Sequence, residues 1–398
     1  MKYDTKELGE YIEILSGFAF KSKDFTASGV PVIKIKNICP PDVLLNDVSY
    51  VSKNFLETHG KYVLNINDIL IAMTGSHINQ WASVVGRVAR VRYQEKSLLN
   101  QRVGKIVITD TERCDENFVY YYLSQDFVKI KLANIAGGAA NQANISPSDI
   151  KRLQFPFPDI NTQRRIGKIL SSYDDLIENN QKQIKLLEEA AQRLYKEWFV
   201  NLRFPNYEKC KIIDGIPEGW KKEKLVDLCD VQYGYAFDGT LFNDKGNGTP
   251  IIRIRNIPSG NTGDYTSENA DDQYRIQNGE IVVGMDGEFH INSWCGETAY
   301  LVQRTCCFRP HDKIIHGWLL WAIFDPIKYF EKTVVGATVS HLGKKHIDTI
   351  ELLRAPDKMY APFETYFRKR QLLLNQNRKL TEIRDRLLPK LINGEIEV

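Results

Sequence analysis

The feature that most constrains the fold of this chain is an internal duplication. Gly-Phe-Ala-Phe at residues 17–20 precedes Gly-Val-Pro-Val-Ile-Lys-Ile-Lys-Asn-Ile, which ends at Ile38. Gly-Tyr-Ala-Phe at residues 234–237 precedes Gly-Thr-Pro-Ile-Ile-Arg-Ile-Arg-Asn-Ile, which ends at Ile257. Residues 68–75 then match 280–287 in the same order. A repeat this long exceeds the ~20–50 residues of a solenoid repeat, so it predicts two homologous globular domains.

A long helix is predicted between the copies, from Thr162 to Phe199, where there is no proline and a single glycine, Gly167. Apolar residues recur there every seven positions in two series that form an a/d seam, the pattern of helices that pair with a partner helix. The seam positions are Leu170, Tyr173, Ile177, Asn180, Ile184, Leu187, Ala191, Leu194 and Trp198. Because Ser171, Ser172, Asp174 and Asp175 could cap a second helix, a break after Leu170 is an equal alternative.

The second copy also ends in a helical pattern, with a seven-residue recurrence of Tyr366, Leu373, Leu380 and Leu387. Aligning Ile184 with Leu380 pairs Asn180 with Gln376 and Leu187 with Ile383. Each half is therefore predicted to be a globule followed by a long helix. The helices would pair within one chain, with Asn180 opposite Gln376 or Asn377. Pro389, with Lys369 and Lys390 at seam positions, argues against even packing at the C-terminal end.

Composition limits the class of protein. The 398 residues, 43% hydrophobic and 26% charged, are enough for two or three soluble domains. Seven cysteines leave one unpaired and contain no CxxC pair, so a reducing cytoplasm is expected. No apolar run approaches the ~18 residues of a membrane helix, so no membrane association is expected. The net charge of +3 does not decide for or against nucleic acid.

Each globule is predicted to be α+β with an antiparallel or mixed sheet, because strands and helices do not alternate regularly. Strands are predicted at Val32–Lys36, Ile69–Ala72, Val103–Ile108 and Ile251–Arg255, and amphipathic helices at Phe118–Leu132 and Trp318–Lys332. In the basic strands, Lys34 and Lys36, and likewise Arg253 and Arg255, would project from one face. A solvated sheet face explains these cations as well as a nucleic-acid contact does.

No catalytic motif was found. The chain has no Gly-x-Gly-x-x-Gly after a strand, no Asn-Pro-Pro-aromatic loop and no His-Glu-x-x-His. A cluster of cysteines and histidines in the second copy fits no zinc spacing, and core thiols are the favoured explanation. Its members are His290, Cys295, Cys306, Cys307, His311 and His316.

The loops after the second matched strand diverge between the copies. Residues 73–80 and 285–292 share an apolar entry but differ in their polar side chains. Two domains with one scaffold and different targets would show this pattern, although free drift of surface loops is an equal alternative. Small residues at 137–144 and 336–343, with Lys344 and Lys345, could approach a phosphate.

Taken in order, these segments resemble the specificity subunit of type I restriction-modification enzymes. The resemblance covers nearly the whole chain and includes Leu-Leu-Asn-Gln-Arg-Val at 98–103 and the segment 387–396. It implies target recognition domains at 1–158 and 205–357, each binding half of a split, asymmetric DNA site in the major groove. Helical spacers at 159–204 and 358–398 would form an antiparallel intramolecular coiled coil.

The resemblance also implies partners and cofactors. The chain would bind double-stranded DNA and two methyltransferase (modification) subunits, and restriction/translocase subunits would join the complex. It would catalyse nothing and bind no cofactor or metal itself. S-adenosylmethionine, ATP and Mg²⁺ would be held by the partner subunits.

Residue by residue, the expected DNA contacts come from the basic segments and the divergent loops. They are Lys34, Lys36, Asn37, Thr74, Ser76, His77, Asn79, Gln80, Arg102, Arg253, Arg255, Asn256, Glu288, His290, Asn292, Arg304, Lys344 and Lys345. The expected coiled-coil and partner positions are Leu170, Tyr173, Ile177, Asn180, Ile184, Leu187, Leu194, Leu373, Gln376, Leu380, Ile383 and Leu387.

Two other classes of function stay open from the sequence. One is a coiled-coil scaffold or inhibitor that binds partner subunits without contacting DNA. The other is a free-standing nuclease, which Asp286 and Glu288 weakly suggest, but the matching positions Thr74 and Ser76 are uncharged.

Overall fold

The chain forms two compact units, and the boundaries between them lie within the two long helices. The computed structural model describes residues 3–76, 84–137, 143–334 and 340–398. The first unit is Met1–Asp175 with Glu382–Val398, and the second is Leu176–Thr381. Each unit therefore contains one copy of the repeat and a part of each long helix.

A mixed sheet and a second sheet form the first unit. In order, the mixed sheet contains Ile12–Ser16, Val103–Ile108, Ile69–Ala72, Val88–Arg90, Asp42–Val43 and Ile38–Cys39. The second sheet contains Phe25–Thr26, Ser49–Val51, Val30–Ile33, Ser97–Leu99 and Val63–Leu64. Short pairs join Thr5–Glu7 to Gln154–Pro156 and Thr74–Gly75 to Ala143–Asn144. Shorter helices are Asn54–Thr58, Glu116–Leu123, Asp126–Ile135 and Pro147–Lys151.

The second unit repeats this plan. One sheet contains Cys229–Tyr233, Thr305–Pro310, Ile281–Gly284 and Ile291–Ser293. The other contains Phe242–Asn243, Tyr265–Thr266, Thr249–Ile252, Ala299–Leu301 and Arg275–Ile276. Short pairs join Ile212–Ile213 to Ile216–Pro217 and Lys221–Lys224 to Glu351–Arg354. Shorter helices are Leu225–Leu228, His316–Ala322, Phe324–Thr333 and Lys344–Ile347.

Strand register confirms the duplication. Val30–Ile33 pairs in parallel with Ser97–Leu99, and Thr249–Ile252 pairs in parallel with Ala299–Leu301. The hydrogen bond that follows each strand pair is also repeated. The backbone N–H of Asn100 donates to the carbonyl of Ile33, and that of Val302 donates to the carbonyl of Ile252, both at 3.1 Å. The α+β prediction with a mixed sheet is confirmed.

Two predicted helices are each divided in the structure. Residues 118–132 form two helices, because Ser124 bonds back to the carbonyl of Tyr120 and Gln125 adopts an extended backbone before the next helix. Residues 318–332 are divided at Ile323, since Pro326 has no N–H to donate to the carbonyl of Ala322.

The central helix runs without interruption from Ile160 to Tyr195, and a π-helical turn continues it over Lys196–Val200. The alternative break after Leu170 is absent, since the hydroxyls of Ser171 and Ser172 donate within the helix to the carbonyls of Lys168 and Ile169. The C-terminal helix, Ala361–Ile392, continues through Pro389.

Parts of both long helices complete the core of each unit. In the first unit, Leu170 and Ile392 are fully buried with Phe118 and Phe155. In the second, Ala191, Phe199 and Phe363 join Trp318. Burial of each large side chain contributes about 1.5–3 kcal/mol, so the long helices stabilise the units. No helix among the described residues has both the length and the apolar character needed to cross a bilayer.

Candidate nucleic-acid interface

The Gly-x-Ala-Phe turn is fixed in both copies against the same short connection between two sheets, residues 99–103 and 301–305. The N–H groups of Phe18 and Tyr235 donate to Leu99 and Leu301, and their carbonyls accept from Gln101 and Gln303. A Cβ at Gly17 would lie 2.3 Å from the carbonyl oxygen of Asn100, and a Cβ at Gly234 would lie 2.0 Å from that of Val302. The turn therefore requires glycine, and it brings aromatic rings beside this connection.

The basic segment after this turn is not a continuous strand. Its strands end at Ile33 and Ile252, and Ile35–Asn37 and Ile254–Asn256 form single 3₁₀ turns. The prediction of strands through Lys36 and Arg255 is therefore wrong, and so is the prediction that the cations share one strand face. The physical cause is a side chain that reaches back: Asn37 Oδ1 accepts from the N–H of Lys34 at 3.0 Å. Asn256 Oδ1 accepts from the N–H of Arg253 at 2.8 Å.

The first cation of each turn lies over an aromatic ring. Lys34 Nζ lies 4.2 Å from the centre of the Phe25 ring and donates to Ser49 Oγ at 2.8 Å. Burial, reinforced by the charge of Lys36, lowers the pKa of Lys34 below its usual value. The Arg253 guanidinium lies 5.4 Å from the Phe242 ring.

The second cation of each turn is exposed and paired with a carboxylate. Lys36 bonds Asp47, and Arg255 bonds Asp264 through Nε at 3.1 Å. The hydrogen bond to Asp264 holds the pKa of Arg255 above its usual value. Burial alone would raise the pKa of Asp264, but hydrogen bonds from Arg255 and Asn256 outweigh burial and lower it. The cations are therefore held in place, and part of their charge is already neutralised.

In the second unit these features line one concave groove of about 550 Å³. It brings together four of the residues expected to contact DNA, namely Arg253, Arg255, His290 and Arg304. The remaining lining residues are Phe237, Phe242, Ile254, Val302 and Gln303. Aromatic faces, an aliphatic wall and several guanidinium groups thus meet at the end of the sheet.

A charged cluster lies at one edge of the groove. Arg304 Nη1 is 3.0 Å from Asp286 Oδ2, and His341 Nδ1 contacts Asp286 Oδ1 at 2.5 Å. The backbone holds these residues together, because Met285 N–H donates to the Arg304 carbonyl at 2.9 Å and Asp286 forms a β-bridge with His341. Arg304 has a left-handed φ of +71°, which is uncommon for a residue with a side chain.

The same backbone frame in the first unit carries uncharged side chains at the positions that match Asp286 and His341. Met73 N–H donates to the Arg102 carbonyl at 3.0 Å, and Thr74 pairs with Asn144 as Asp286 pairs with His341. The Thr74 hydroxyl donates to Asn144 Oδ1 at 2.8 Å. The chemistry therefore differs between the units at one matched position while the frame is kept.

Several predicted contact residues are buried or bonded inside the protein. Asn37 and Asn256 form the turns, Thr74 is buried, and Ser76 is half-buried. Asn292 is buried and donates to the carbonyls of Ile257 and Pro258 at 3.0 Å. His290 Nδ1 lies 3.6 Å from the Glu288 carboxylate. Lys344, Lys345 and Arg102 are exposed. His77, Asn79 and Gln80 lie outside the described residues.

The long helices run antiparallel where they meet inside each unit. In the second unit, Asn180 Nδ2 donates to Asn377 Oδ1 at 2.9 Å, so Asn377 is the partner among the two residues considered. In the first unit, Arg384 Nη1 donates to Asp174 Oδ1 at 2.6 Å. Of the predicted seam, Leu170, Asn180, Ile184 and Leu373 are buried. Tyr173, Ile177, Leu187, Leu194, Leu380 and Leu387 are half-buried, and Gln376 and Ile383 are exposed.

The long helices are also joined by buried ionic contacts, which were not predicted from the sequence. Arg370 is 6% exposed and donates to Glu188 Oε1 at 2.6 Å. Asp174, 8% exposed, also accepts from the hydroxyl of Tyr121, whose pKa is raised by burial and by this carboxylate. The sequence spacing could have indicated these pairs, because Asp174 and Glu188 lie two heptads apart, and so do Arg370 and Arg384.

The cysteine and histidine cluster is dispersed in the fold. Cys306 and Cys307 are buried neighbours in one strand, and burial raises the pKa of both thiols. His316 contacts the carbonyl of Gly279, and His311 contacts Asp230. Across residues 3–76, 84–137, 143–334 and 340–398, no group of three or more His, Cys, Asp or Glu side chains is placed to hold a metal ion.

These observations define a class of protein: a duplicated α+β chain whose copies share a frame, differ in polar groups at matched positions, and are joined by paired helices. The family model of the type I restriction modification DNA specificity domain matches residues 1–189 and 217–353. The chain therefore belongs to this family, and the predicted resemblance is confirmed. As a specificity subunit it is a non-catalytic part of a type I restriction-modification complex.

Individual relatives agree with the family match. The type I restriction enzyme MjaIX specificity subunit of Methanocaldococcus jannaschii is 24% identical, over 100% of this chain and 94% of its own length. The EcoBI specificity subunit of Escherichia coli is 31% identical over 34% of this chain and 29% of its own length. The crystal structure of the type I restriction-modification S subunit from M. genitalium has the same fold. Its TM-score is 0.59 at 17% identity, with 98% of this chain and 96% of that chain covered.

Proposed function

We infer that this subunit binds a bipartite, asymmetric double-stranded DNA site, with each copy reading one half in the major groove. The observation that carries this proposal is the matched position occupied by Thr74 and Asn144 in one unit and by Asp286 and His341 in the other. A shared backbone frame positions the protein, while different hydrogen-bonding groups distinguish different bases. Two copies with different groups at one position would read different half-sites.

In this proposal the globular domains recognise DNA and the helices bind partner subunits. Residues 1–158 and 205–357 are the target recognition domains, and the helical spacers at 159–204 and 358–398 dock two methyltransferase subunits. The groove in the second unit supports this assignment, since Arg253 and Arg255 line it together with aromatic rings. Guanidinium groups suit both phosphate and base contacts, and the exposed Lys344 and Lys345 would add phosphate contacts.

The chemistry of the complex belongs to the partner subunits in this proposal. The modification subunits bring S-adenosylmethionine and transfer the methyl group to adenine. Restriction/translocase subunits bring ATP, Mg²⁺ and cleavage. This chain supplies the sequence specificity and the docking helices.

The test is reconstitution with the cognate modification subunits, followed by footprinting and by mapping of methylated adenines. We expect protection of a bipartite site and binding that weakens steeply with salt. Replacing Lys34, Lys36, Arg253 and Arg255 by Gln should weaken binding and lower the salt slope by about 0.9 for each phosphate that the variant no longer neutralises. The control is Lys222→Gln, a change of an exposed lysine on a strand that does not line the groove.

The scaffold alternative gives a different result in the same experiment. A complex would assemble, but its affinity for DNA would not change in the four-residue Gln variant. That outcome, or a reconstituted complex that binds no DNA better than competitor, rules out the proposed function.

A further inference from the structure

The position of the Arg304 side chain is fixed by contacts within the protein. Its Nη1 contacts the Asp286 carboxylate at 3.0 Å, and the other oxygen of that carboxylate is held by His341 Nδ1. The Arg304 carbonyl accepts from Met285 N–H, which fixes the base of the side chain. A left-handed residue with a side chain costs free energy unless its surroundings hold it, and such residues cluster at functional sites.

The contacts with Asp286 and His341 leave one edge of the Arg304 guanidinium free to bind a ligand. Among the described residues, the polar contacts of Arg304 all involve Nη1, on the Asp286 and His341 side. The Nε and Nη2 donors form the other edge, and Arg304 lines the groove beside Gln303 and Arg255. The side chain as a whole is 53% exposed, so a ligand in the groove can reach it.

The chemistry of that edge selects its partner. Nε–H and Nη2–H are parallel donors in one plane, which matches two adjacent acceptors. In the major groove, guanine presents such a pair at O6 and N7, whereas adenine places a donor beside its N7. A phosphate also offers two acceptors, but it carries no sequence information.

We propose that Arg304 reads a guanine in the half-site bound by the second unit, with Asp286 as its positioning residue. This assignment rests on the proposed function and adds the base class at one position. The first unit has Thr74 where Asp286 stands, so its Arg102 has no carboxylate at the matched position. The preference therefore belongs to the second half-site alone.

The experiment selects DNA from a library in which the second half-site is randomised, using the complete chain in complex with its modification subunits. The variants are Arg304→Gln, Arg304→Gly and Asp286→Asn. Glycine adopts the left-handed backbone without strain, so Arg304→Gly removes the two guanidinium donors and keeps the backbone conformation. Lys222→Gln, at an exposed position of the second unit that neither lines the groove nor lies on a helical spacer, is the control.

We expect the wild-type complex to select guanine at one position of the second half-site. Both Arg304 variants should lose that preference by roughly 5- to 150-fold, equivalent to about 1–3 kcal/mol. Asp286→Asn should weaken discrimination at the same base pair only, a change that a purely structural role would not produce. The first half-site should be selected as before in every variant.

Two results overturn the proposal. One is an unchanged guanine preference in the Arg304 variants, and the other is a loss of binding that is equal at all base pairs, which would identify a phosphate contact. If the wild-type complex selects no bipartite sequence at all, the proposed function fails first and this assignment fails with it.

Discussion

Arg370 is a buried cation with a complete set of acceptors. Its Nε donates to Glu188, its Nη1 to Ser293 Oγ and its Nη2 to Asn292 Oδ1, all at 2.6–2.7 Å. The next residue, Gln371, donates to the Trp294 carbonyl at 2.7 Å. Together these bonds fix the C-terminal helix to a sheet of the second unit and to the central helix.

Truncation of Arg370 should therefore destabilise the second unit strongly. Arg370→Ala leaves the half-buried Glu188 without its partner and removes charged hydrogen bonds to the buried Ser293 and Asn292, each worth about 1.5–3 kcal/mol. Five of the six tryptophans lie in this unit, so urea unfolding followed by tryptophan fluorescence reports on it. Lys369→Ala, at the exposed neighbouring position, should change the free energy of unfolding by less than about 0.5 kcal/mol. Equal effects of the two substitutions would contradict the anchoring role.

At the scale of elements, the charges of the long helices follow a pattern. Aligning Ile184 with Leu380 equates Asp174 with Arg370 and Glu188 with Arg384. Asp174 bonds Arg384 in the first unit, and Glu188 bonds Arg370 in the second. The central helix thus carries both acids and the C-terminal helix both bases. Antiparallel pairing of two central helices would place Asp174 opposite Glu188, so charge favours the heterotypic pair.

An exchange of charges tests this pattern. Asp174→Arg and Arg384→Asp should each destabilise the chain by about 3 kcal/mol or more, because each creates like charges in a buried site. The double variant should recover at least half of the summed loss, measured by urea unfolding with circular dichroism. Exchange of Glu178 with Lys182, an i,i+4 pair on the surface of one helix with Lys182 exposed, should have an effect below about 0.5 kcal/mol. Additive losses at 174 and 384 would show that their charges do not interact.

Element prediction from the sequence succeeded where periodicity is strong and failed where one side chain redirects the backbone. The seven-residue recurrence placed the central helix within a few residues of its ends. The alternation at Val32–Lys36 looked like a strand, but Asn37 bonds the Lys34 N–H and turns the chain. Periodicity does not register such a local bond, although an Asn three residues after the turning point is the signal that was available.

At the scale of the whole molecule, the duplication was enough to predict two related units. The contacts of the candidate site could be identified only in the structure. Lys36 and Arg255 were recognisable as cations, but their partners Asp47 and Asp264 lie on other segments. Likewise, Asp286 and His341 are far apart in sequence and meet through a β-bridge. Contacts between distant segments depend on register, which one sequence does not display.

The long helices should set the spacing between the half-sites. Seven added residues lengthen a helix by about 10.5 Å, the rise of roughly three base pairs. Because the central helix pairs with the C-terminal helix in both units, the insertion must be matched, by duplicating residues 176–182 and 375–381. Each duplication lies at the boundary between the units and leaves Asp174–Arg384 and Glu188–Arg370 outside the inserted turns.

The matched insertion should lengthen the spacer of the methylated site by about three base pairs while both half-sites stay the same, as measured by mapping methylated adenines. Insertion into the central helix alone should instead lower stability, because it shifts one ionic pair out of register with the other. A change in the bases of either half-site would contradict the separation of spacing from recognition. An unchanged spacer in the matched variant would show that the helices do not set the distance.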